Sequence, residues 1–408
     1  MELKVKRIFV LVLILSMALV QGCGGAQQPG PEGGQDTFSS GDMEYRRDLN
    51  MQCVRAVWVS YLDIAPMMST DKQVFEKNID TMLDNLAAIS TTDIYFQVRA
   101  FSDSFCKSNV YPSAGETIYK MSDEFDYFEI VVERCHSRGV KVHAWINPYR
   151  LHSSDGAVYR AFVDKLIADD GDSVEATDAG RALNPASEAA QKLVEDGVRE
   201  ILDNYDVDGI HLDDYFYPTT DEGFDSTYYK KYLDGGGTQG LAEWRRGNVT
   251  ALVKRLYTAV KAKSPDIEFG ISPDASVDRN MEKHYLDVEL MCTTPGYIDY
   301  ICPQIYFGYE NQSMPFLRTA ARWSELCTSC RLVVGLGFYK VGTIDPYAGS
   351  GTGEWAGSSD IISRQYLDSL EITNCDGVAF YRYGSIFDPV ESVAALVQTE
   401  LDNLKRNI

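Results

Sequence analysis

Short β-rich runs and amphipathic helical stretches alternate eight times along the chain, a pattern that few folds can accommodate. One helical stretch, Glu243–Lys263, repeats apolar side chains at the spacing of a single helix face. Eight alternations favour a (β/α)8 TIM barrel with loop insertions over an open doubly wound sheet. The β-rich runs are Val54–Ser60, Asp93–Arg99, Val140–Asn147, Val207–Asp213, Ile267–Asp274, Ile298–Tyr306, Leu332–Tyr339 and Gly377–Tyr383.

Alternation within these runs predicts which side chains face the barrel interior. In Val207–Asp213, the apolar Ile210 and Leu212 share the face expected to contact the helices, and His211 and Asp213 share the other. Active sites of such barrels lie at the carboxyl ends of the strands, where carboxylates, amides and aromatic rings would suit a polyhydroxylated ligand. The residues predicted to line that end are Trp58, Arg99, His143, Asn147, His211, Asp213, Asp274, Gln304, Tyr306, Tyr339 and Tyr381.

Two adjacent carboxylates, Asp213 and Asp214, end the fourth run and are followed by Tyr215. Glycosidic cleavage needs a proton donor and a negative charge or nucleophile at the sugar carbon, and carboxylates serve both roles if their pKa values differ. Mutual repulsion and burial under aromatic rings would separate the two pKa values. We interpret the pair as catalytic rather than as a solvated acidic turn or a helix cap, and Tyr215 as a substrate-binding residue.

Other interpretations of the same residues remain open. His143 and His211 could bind a metal together with Asp213, as in a metal-dependent polysaccharide deacetylase or amidohydrolase, although the first strand lacks the H-x-H pair usual there. A non-catalytic carbohydrate-binding barrel is a second alternative. Arg99 could pair with a catalytic carboxylate or form a structural salt bridge across the barrel floor. We expect neither a metal nor a cofactor.

The amino terminus resembles a bacterial lipoprotein signal. Basic residues precede the apolar run Ile8–Val20, which is too short to span a bilayer, and Gly22 directly precedes Cys23. We therefore predict a signal peptide over residues 1–22, lipidated Cys23 and a flexible linker over residues 23–47, and the barrel over residues 48–408. The protein is expected in the cell envelope outside the cytoplasm, held to a bacterial membrane only by its lipid anchor.

Charge and cysteine content narrow the expected partners. A formal charge of -22 argues against nucleic-acid binding, which requires basic patches. We expect a monomer whose partner is a polysaccharide. The C-x-x-C formed by Cys327 and Cys330 has no second pair or histidine near it in sequence, so we expect a local disulfide or two thiols rather than zinc.

Six blocks in order resemble the signature blocks of a known family; they are Arg55–Trp58, Gln97–Arg99, Ala144–Arg150, Asp208–Pro218, Gly270–Pro273 and Ile298–Tyr306. They are similar to the glycosyl-hydrolase-like 10 family, which comprises exported bacterial TIM-barrel proteins, often lipoproteins, regarded as glycoside hydrolases. The resemblance implies that Asp213 and Asp214 hold the catalytic position. It also implies that the site is lined by Arg99, Asn147, Gln304 and Tyr306.

The second catalytic carboxylate stays open. Asp274 stands where the family pattern has an aromatic residue after Pro273, which makes Asp274 the first candidate and Glu310 the second. In one mechanism, Asp213 and a carboxylate across the barrel act as a conventional acid and base or nucleophile. In the other, Asp214 donates the proton while Asp213 orients the 2-acetamido group of the substrate as the nucleophile.

Overall fold

The computed structural model describes residues 53–408 except 155, 179, 214 and 215. The predicted signal peptide, Cys23 and the linker lie outside the described residues, as do Asp214 and Tyr215. In the described part of the chain, no helix is both long enough and apolar enough to cross a bilayer.

Eight parallel strands close into a barrel in the order β1-β10-β9-β8-β7-β6-β3-β2, which confirms the predicted fold. Each predicted run overlaps one barrel strand, and β2 coincides with its run from end to end, but the strands that begin at Arg331 and Cys375 start before their runs. The barrel strands are β1 Val54–Val59, β2 Asp93–Arg99, β3 Lys141–Ile146, β6 Gly209–Asp213, β7 Glu268–Ser272, β8 Tyr300–Ile301, β9 Arg331–Gly337 and β10 Cys375–Tyr381.

β8 is much shorter than its predicted run because Pro303 has no amide hydrogen to donate to the strand ladder. The chain beyond it still follows the barrel wall. Gln304 forms isolated bridges with Asp274 on one side and Gly335 on the other, and its amide donates to the Pro273 carbonyl at 3.0 Å. Gln304 is thereby held at the carboxyl end of the barrel.

Helices surround the barrel and alternate with its strands. The longest is α7, whose buried face includes Val249, Leu252 and Leu256. The helices are α1 Tyr61–Ile64, α2 Lys72–Ala87, α3 Tyr127–His136, α4 Ala157–Asp169, α5 Glu188–Asn204, α6 Ser226–Asp234, α7 Leu241–Lys263, α8 Val277–Glu282, α9 Val288–Thr293, α10 Phe316–Leu326, α11 Glu354–Gly357, α12 Ile361–Leu370, α13 Tyr383–Phe387 and α14 Ala394–Lys405.

Two apolar layers follow from the alternation of the strands. Outward side chains such as Ile210 and Leu212 are completely buried against the helices, where each contributes roughly 1.5–3 kcal/mol by leaving water. A second cluster fills the barrel interior. Its members are Ala56, Trp58, Tyr95, Trp145, Tyr300, Cys302, Val333 and Ala379.

The insertion between β3 and α5 contains structure that the sequence pattern did not predict. Helix α4 is followed by an antiparallel hairpin of β4 Val174–Thr177 and β5 Gly180–Leu183. The hairpin is attached to the barrel end because Leu183 donates its amide to the Tyr149 carbonyl at 2.9 Å. The insertion is therefore tied to the segment that follows β3.

Candidate active site

Asp213 is the last residue of β6, and a hydrogen-bond network fixes its position. Its carboxylate accepts a hydrogen bond from Gln304 Nε2 at 2.7 Å, and its backbone carbonyl accepts one from Asn147 Nδ2 at 3.1 Å. Only 7% of Asp213 is exposed. A charged acceptor in such surroundings gains about 1.5–3 kcal/mol from a hydrogen bond, so Gln304 holds the carboxylate in one orientation.

The amides around Asp213 are oriented by a further link to β2. Gln97 Oε1 accepts from the Tyr61 amide at 2.7 Å, so its Nε2 must donate to Asn147 Oδ1, at 2.6 Å. Asn147 is then left with its own NH₂ group facing the Asp213 carbonyl. Gln97 is thus a positioning residue of the site. The predicted set omitted it, although its inward parity in β2 would have identified it.

Three tyrosines form an aromatic wall beside Asp213. The rings of Tyr306 and Tyr381 are stacked with centroids 5.5 Å apart, and Tyr339 meets both edge-on at 5.7 and 6.0 Å. Tyr339 is 38% exposed, whereas the other two are half-buried. The structure therefore brings Tyr306, Tyr339 and Tyr381 together, as predicted, and their partial exposure provides ring surface that a sugar could contact.

The Tyr306 hydroxyl has no hydrogen-bond partner among the described residues, although it is buried. Burial, the neighbouring Tyr381 and the Asp213 carboxylate all raise the pKa of Tyr306 well above its ordinary value. The hydroxyl therefore stays protonated and is able to donate. A buried donor without a partner costs about 1–3 kcal/mol, and a bound substrate oxygen would relieve that cost.

His143, His211 and Trp58 occupy the packed interior and not the open end, which corrects their prediction as substrate-binding residues. Trp58 and His211 are completely buried, and His143 is 1% exposed. His211 stacks on Tyr95 with ring centroids 4.0 Å apart. The physical reason is the position of each residue along its strand. Inward side chains in the middle of a strand fill the barrel, whereas only those at the carboxyl end of the strand reach the cleft.

The interior histidines lie in a hydrogen-bond chain whose direction is fixed. Trp58 Nε1 only donates, so His211 Nε2, at 3.2 Å, must be its acceptor. Neutral His211 then carries its hydrogen on Nδ1 and donates to the Tyr300 hydroxyl at 2.8 Å. Tyr300 in turn donates to His143 Nδ1 at 3.1 Å, and His143 Nε2 donates to Asp93 at 3.2 Å.

Burial and the neighbouring His143 hold the pKa of His211 well below its ordinary value, so His211 is neutral at physiological pH. Both ring nitrogens of His211 and both ring nitrogens of His143 already have a hydrogen-bond partner. Neither histidine is hydrogen-bonded to Asp213, and the described residues contain no group of three His, Asp or Glu ligands at this end of the barrel. The arrangement therefore does not match the metal site of the deacetylase alternative.

Arg99 points away from the barrel, so the expectation that it faces the interior is wrong. The pairing of β2 with β3 shifts by one residue between Gln97 and Arg99, and this bulge reverses the alternation of sides. The guanidinium carbon lies 3.8 Å from the centroid of the Tyr111 ring, against Gly197 of α5. Arg99 therefore lies outside the barrel interior, where it makes a cation–π contact with Tyr111 beside α5.

Asp274 binds residues of its own loop, and these contacts argue against its role as the second catalytic carboxylate. Its Oδ1 accepts from the Ser276 amide at 2.7 Å and from Arg279 Nη2 at 2.7 Å. These contacts cap the turn into α8, and none reaches Asp213. Glu310, the second candidate, is exposed in a loop held by Glu354, which accepts its amide at 2.9 Å.

A buried ion pair anchors the loop that follows Asp214 and Tyr215. Arg245 of α7 binds Asp225 through two hydrogen bonds of 2.6 and 2.8 Å, with both side chains inaccessible to solvent. The Tyr217 hydroxyl donates to the same carboxylate, and Arg245 also donates to the Asp221 carbonyl at 2.6 Å. The segment that follows β6 is thus held in place by one arginine.

Sequence reasoning also missed a polar contact that joins the ends of β1 and β10. Asp63 is buried and accepts from the Ser60 and Gly384 amides, each at 2.8 Å, and it pairs with Arg382. Arg382 directly follows Tyr381. Asp63 therefore positions the loop that follows the Tyr381 ring, and no local motif marks this long-range role.

The comparisons with known proteins agree with this geometry. Glycosyl hydrolase DigH of Escherichia coli strain K12 is 30% identical, over 71% of this chain and 74% of that protein. Glycosyl hydrolase YngK of Bacillus subtilis is 28% identical, over 71% of this chain and 61% of that protein.

Among solved structures, the glycoside hydrolase domain of PgaB (BpsB) from Bordetella bronchiseptica has the same fold, with a TM-score of 0.57 and 14% identity. The superposition covers 86% of this chain and 98% of that domain. The family model described as glycosyl hydrolase-like 10 matches residues 53–348. This range begins at the first described residue and includes every barrel strand except β10. The chain therefore belongs to the glycosyl hydrolase-like 10 family.

Proposed function

We propose that this protein is a glycoside hydrolase whose reaction centre is the carboxylate pair of Asp213 and Asp214. The observation that supports this most is the Asp213 carboxylate, held by Gln304 at the carboxyl end of the barrel beside a wall of tyrosine rings. Such a carboxylate stabilises positive charge developing at a sugar carbon, and the rings supply contact surface. Membership of the glycosyl hydrolase-like 10 family supports the same reaction class.

For the mechanism, we favour participation by the substrate. Two other carboxylates at this end of the barrel already form ion pairs, since Asp274 binds Arg279 and Asp63 binds Arg382. Asp214 then donates its proton to the leaving glycosidic oxygen while the carbonyl oxygen of a 2-acetamido group bonds to the sugar carbon. Asp213 stabilises the positive charge of the resulting ring, and water later opens it and returns a proton to Asp214.

This mechanism restricts the substrate to glycans that carry N-acetylated sugars. The lipoprotein signal expected at Cys23 would place the enzyme in the bacterial cell envelope, where peptidoglycan is such a glycan. Tyr306 contributes a hydroxyl that remains protonated and needs an acceptor, which suits an acetamido or hydroxyl oxygen of the sugar. We therefore propose an N-acetylhexosamine glycan of the envelope as the substrate.

The test is cleavage of N-acetylglucosamine oligomers and peptidoglycan by the purified protein, compared with the same oligomers after chemical removal of the acetyl groups. We expect new reducing ends from the acetylated glycans and none from the deacetylated ones. Equal cleavage of both would exclude participation by the acetamido group while leaving a glycosidase. Release of acetate without new reducing ends would instead identify a deacetylase, and binding without either product would identify a carbohydrate-binding protein.

A further inference from the structure

Three cysteines from separate parts of the chain meet at the amino-terminal end of the barrel, opposite Asp213. Cys292 lies in the last turn of α9, Cys327 directly follows α10, and Cys330 directly precedes β9. Their sulfur atoms all lie within 4.8 Å of one another. The sequence shows only the Cys327–Cys330 pair as a motif, because Cys292 is remote along the chain and joins the pair only through the fold.

We propose that Cys292, Cys327 and Cys330 form a thiolate site for a soft divalent metal ion such as zinc. Four-coordinate zinc binds thiolates at about 2.3 Å, which places ligand sulfurs roughly 3.8 Å apart. The observed spacing requires only a small contraction to reach that geometry. This inference is independent of the glycosidase centre at the other end of the barrel.

The backbone presents the three sulfurs in a fixed arrangement. The turn between Cys327 and Cys330 is bound to Cys292, because the amides of Thr328 and Ser329 donate to the Cys292 carbonyl at 3.2 and 2.8 Å. Ser329 Oγ also donates to the Thr293 carbonyl at 2.9 Å. A site whose ligands are held in advance loses little chain entropy when the metal binds.

Burial and charge also suit a metal–thiolate centre. Cys292 and Cys327 are almost completely buried, whereas Cys330 is half-buried. Three thiolates around a divalent ion carry one net negative charge, and the cation of the adjacent Arg331 opposes it. The preference of soft thiolate ligands for zinc over magnesium or calcium sets the class of metal.

A cavity beside the cysteines would supply the fourth ligand of the metal. Cys327 and Cys330 line an open cavity of about 830 Å³ together with Asp299, Arg331 and Asp376. Asp299 already pairs with Lys261, and Asp376 pairs with Arg331. Water or a small anion from the cavity would therefore be the fourth ligand, which leaves the coordination open on one side.

A disulfide is the competing use of these sulfurs, and it fits the arrangement less well. A disulfide joins two sulfurs at about 2.05 Å and leaves the third thiol buried without a function. No disulfide joins any two cysteines in the described part of the chain. A metal uses all three sulfurs and joins the ends of α9 and α10 to the start of β9.

The experiment measures metal in the full chain purified without chelators, by elemental analysis and by cobalt(II) substitution. We expect one zinc ion per chain, and for the cobalt form a sulfur-to-cobalt charge-transfer band with the visible bands of tetrahedral coordination. Cys292→Ser, Cys327→Ser and Cys330→Ser should each lose this spectrum. Cys135→Ser removes a completely buried thiol of α3 outside the cluster and should keep it.

A readout on the unmutated protein avoids dependence on variants that fail to fold. With zinc bound, the three cysteines should resist alkylation in the native state, and a chelator should expose them and lower the Tm. A disulfide between any two of the three, found by peptide mass mapping of the exported protein, would overturn the proposal. The reduced, folded chain binding no cobalt would overturn it equally.

Discussion

The hydroxyl of Tyr306 is buried and has no hydrogen-bond partner among the described residues. His211 and Tyr300 also lie inside the barrel, but each is hydrogen-bonded on both sides. Since an unpaired buried hydroxyl weakens the folded state, the protein gains from this group only when an oxygen of the substrate accepts its hydrogen bond. The Tyr306 hydroxyl is therefore expected to lower the stability of the free protein and to strengthen substrate binding.

Tyr306→Phe tests both expectations. We expect kcat/KM for glycan cleavage to fall about 10- to 100-fold, because one donor to the substrate is lost. The free energy of unfolding should stay unchanged or rise by up to about 1 kcal/mol, because no hydrogen bond within the described structure is broken. Tyr257→Phe, which removes a hydroxyl from the outer side of the barrel, is the control for kcat/KM. A stability loss without a loss of activity would contradict the assignment.

His211→Gln tests the fixed direction of the interior chain. At pH 7.5 the variant should be about 1–2 kcal/mol less stable, because Gln can accept from Trp58 but leaves Tyr300 without its donor. The pKa of His211 in the folded state lies well below its ordinary 6.5, so the unfolded chain binds a proton that the folded chain excludes. Wild-type stability therefore falls as pH drops below 6.5.

The difference in unfolding free energy between the wild type and the Gln variant should therefore decrease by about 1.4 kcal/mol per pH unit below 6.5. The decrease should stop where the folded wild type itself takes up the proton. Denaturant unfolding of both proteins at a series of pH values measures it. A difference that is the same at pH 5 and pH 7.5 would show that His211 titrates normally and that the interior chain does not have this direction.

At the scale of the element, the segment between β6 and α6 follows directly after Asp213, the residue proposed as catalytic, and is held in place by Arg245. The pair of Arg245 with Asp225 excludes water completely, so removing one partner strands a buried charge. By contrast, Arg255 on the same helix pairs with Glu188 and Glu195 in a partly exposed position. Exposed pairs contribute little because water and side-chain entropy offset them.

Arg245→Met should therefore destabilise the protein by about 3–5 kcal/mol, whereas Arg255→Met should cost no more than about 1 kcal/mol. Hydrogen exchange should show lost protection across residues 216–226 in the first variant only, because Arg245 binds the Asp221 carbonyl directly and holds Asp225, the hydrogen-bond acceptor of Tyr217. Unchanged exchange in that segment would mean that the loop is held by other contacts.

Elements also show what a sequence pattern can and cannot provide. The eight strands were predictable because each repeats a two-residue alternation between turn residues, a local property. The bulge that turns Arg99 outward was not, since it arises from a register shift against β3. The Arg279 partner of Asp274 and the insertion hairpin depend on loop geometry that alternation does not encode. The side on which a residue lies was therefore predictable where strand pairing is regular, whereas its position along the barrel axis and its side-chain partners were not.

Across the whole molecule, the two ends of the barrel carry different chemistry. The carboxyl end holds Asp213 among amides and tyrosine rings, and the amino end holds the three cysteines. Packed interior residues, including Trp58 and Tyr95, separate them. The sequence placed Asp213 correctly at the end of its strand, whereas it placed His143 at the open end of the barrel although that side chain lies deeper, in the packed interior. The proposed reaction centre and the proposed metal site therefore lie at opposite ends of the barrel.

The central claim is that Asp213 serves the chemical step and not merely ligand binding. The direct measurement compares single-turnover cleavage of an N-acetylated glycan by the wild type and by Asp213→Asn, with affinity measured by calorimetry. Asp206→Asn, which changes an almost fully exposed carboxylate before the same strand, is the matched control. We predict that Asp213→Asn binds within about threefold of wild type but cleaves at least about 10³-fold more slowly. Cleavage by Asp213→Asn at the rate of the Asp206→Asn control would contradict the account.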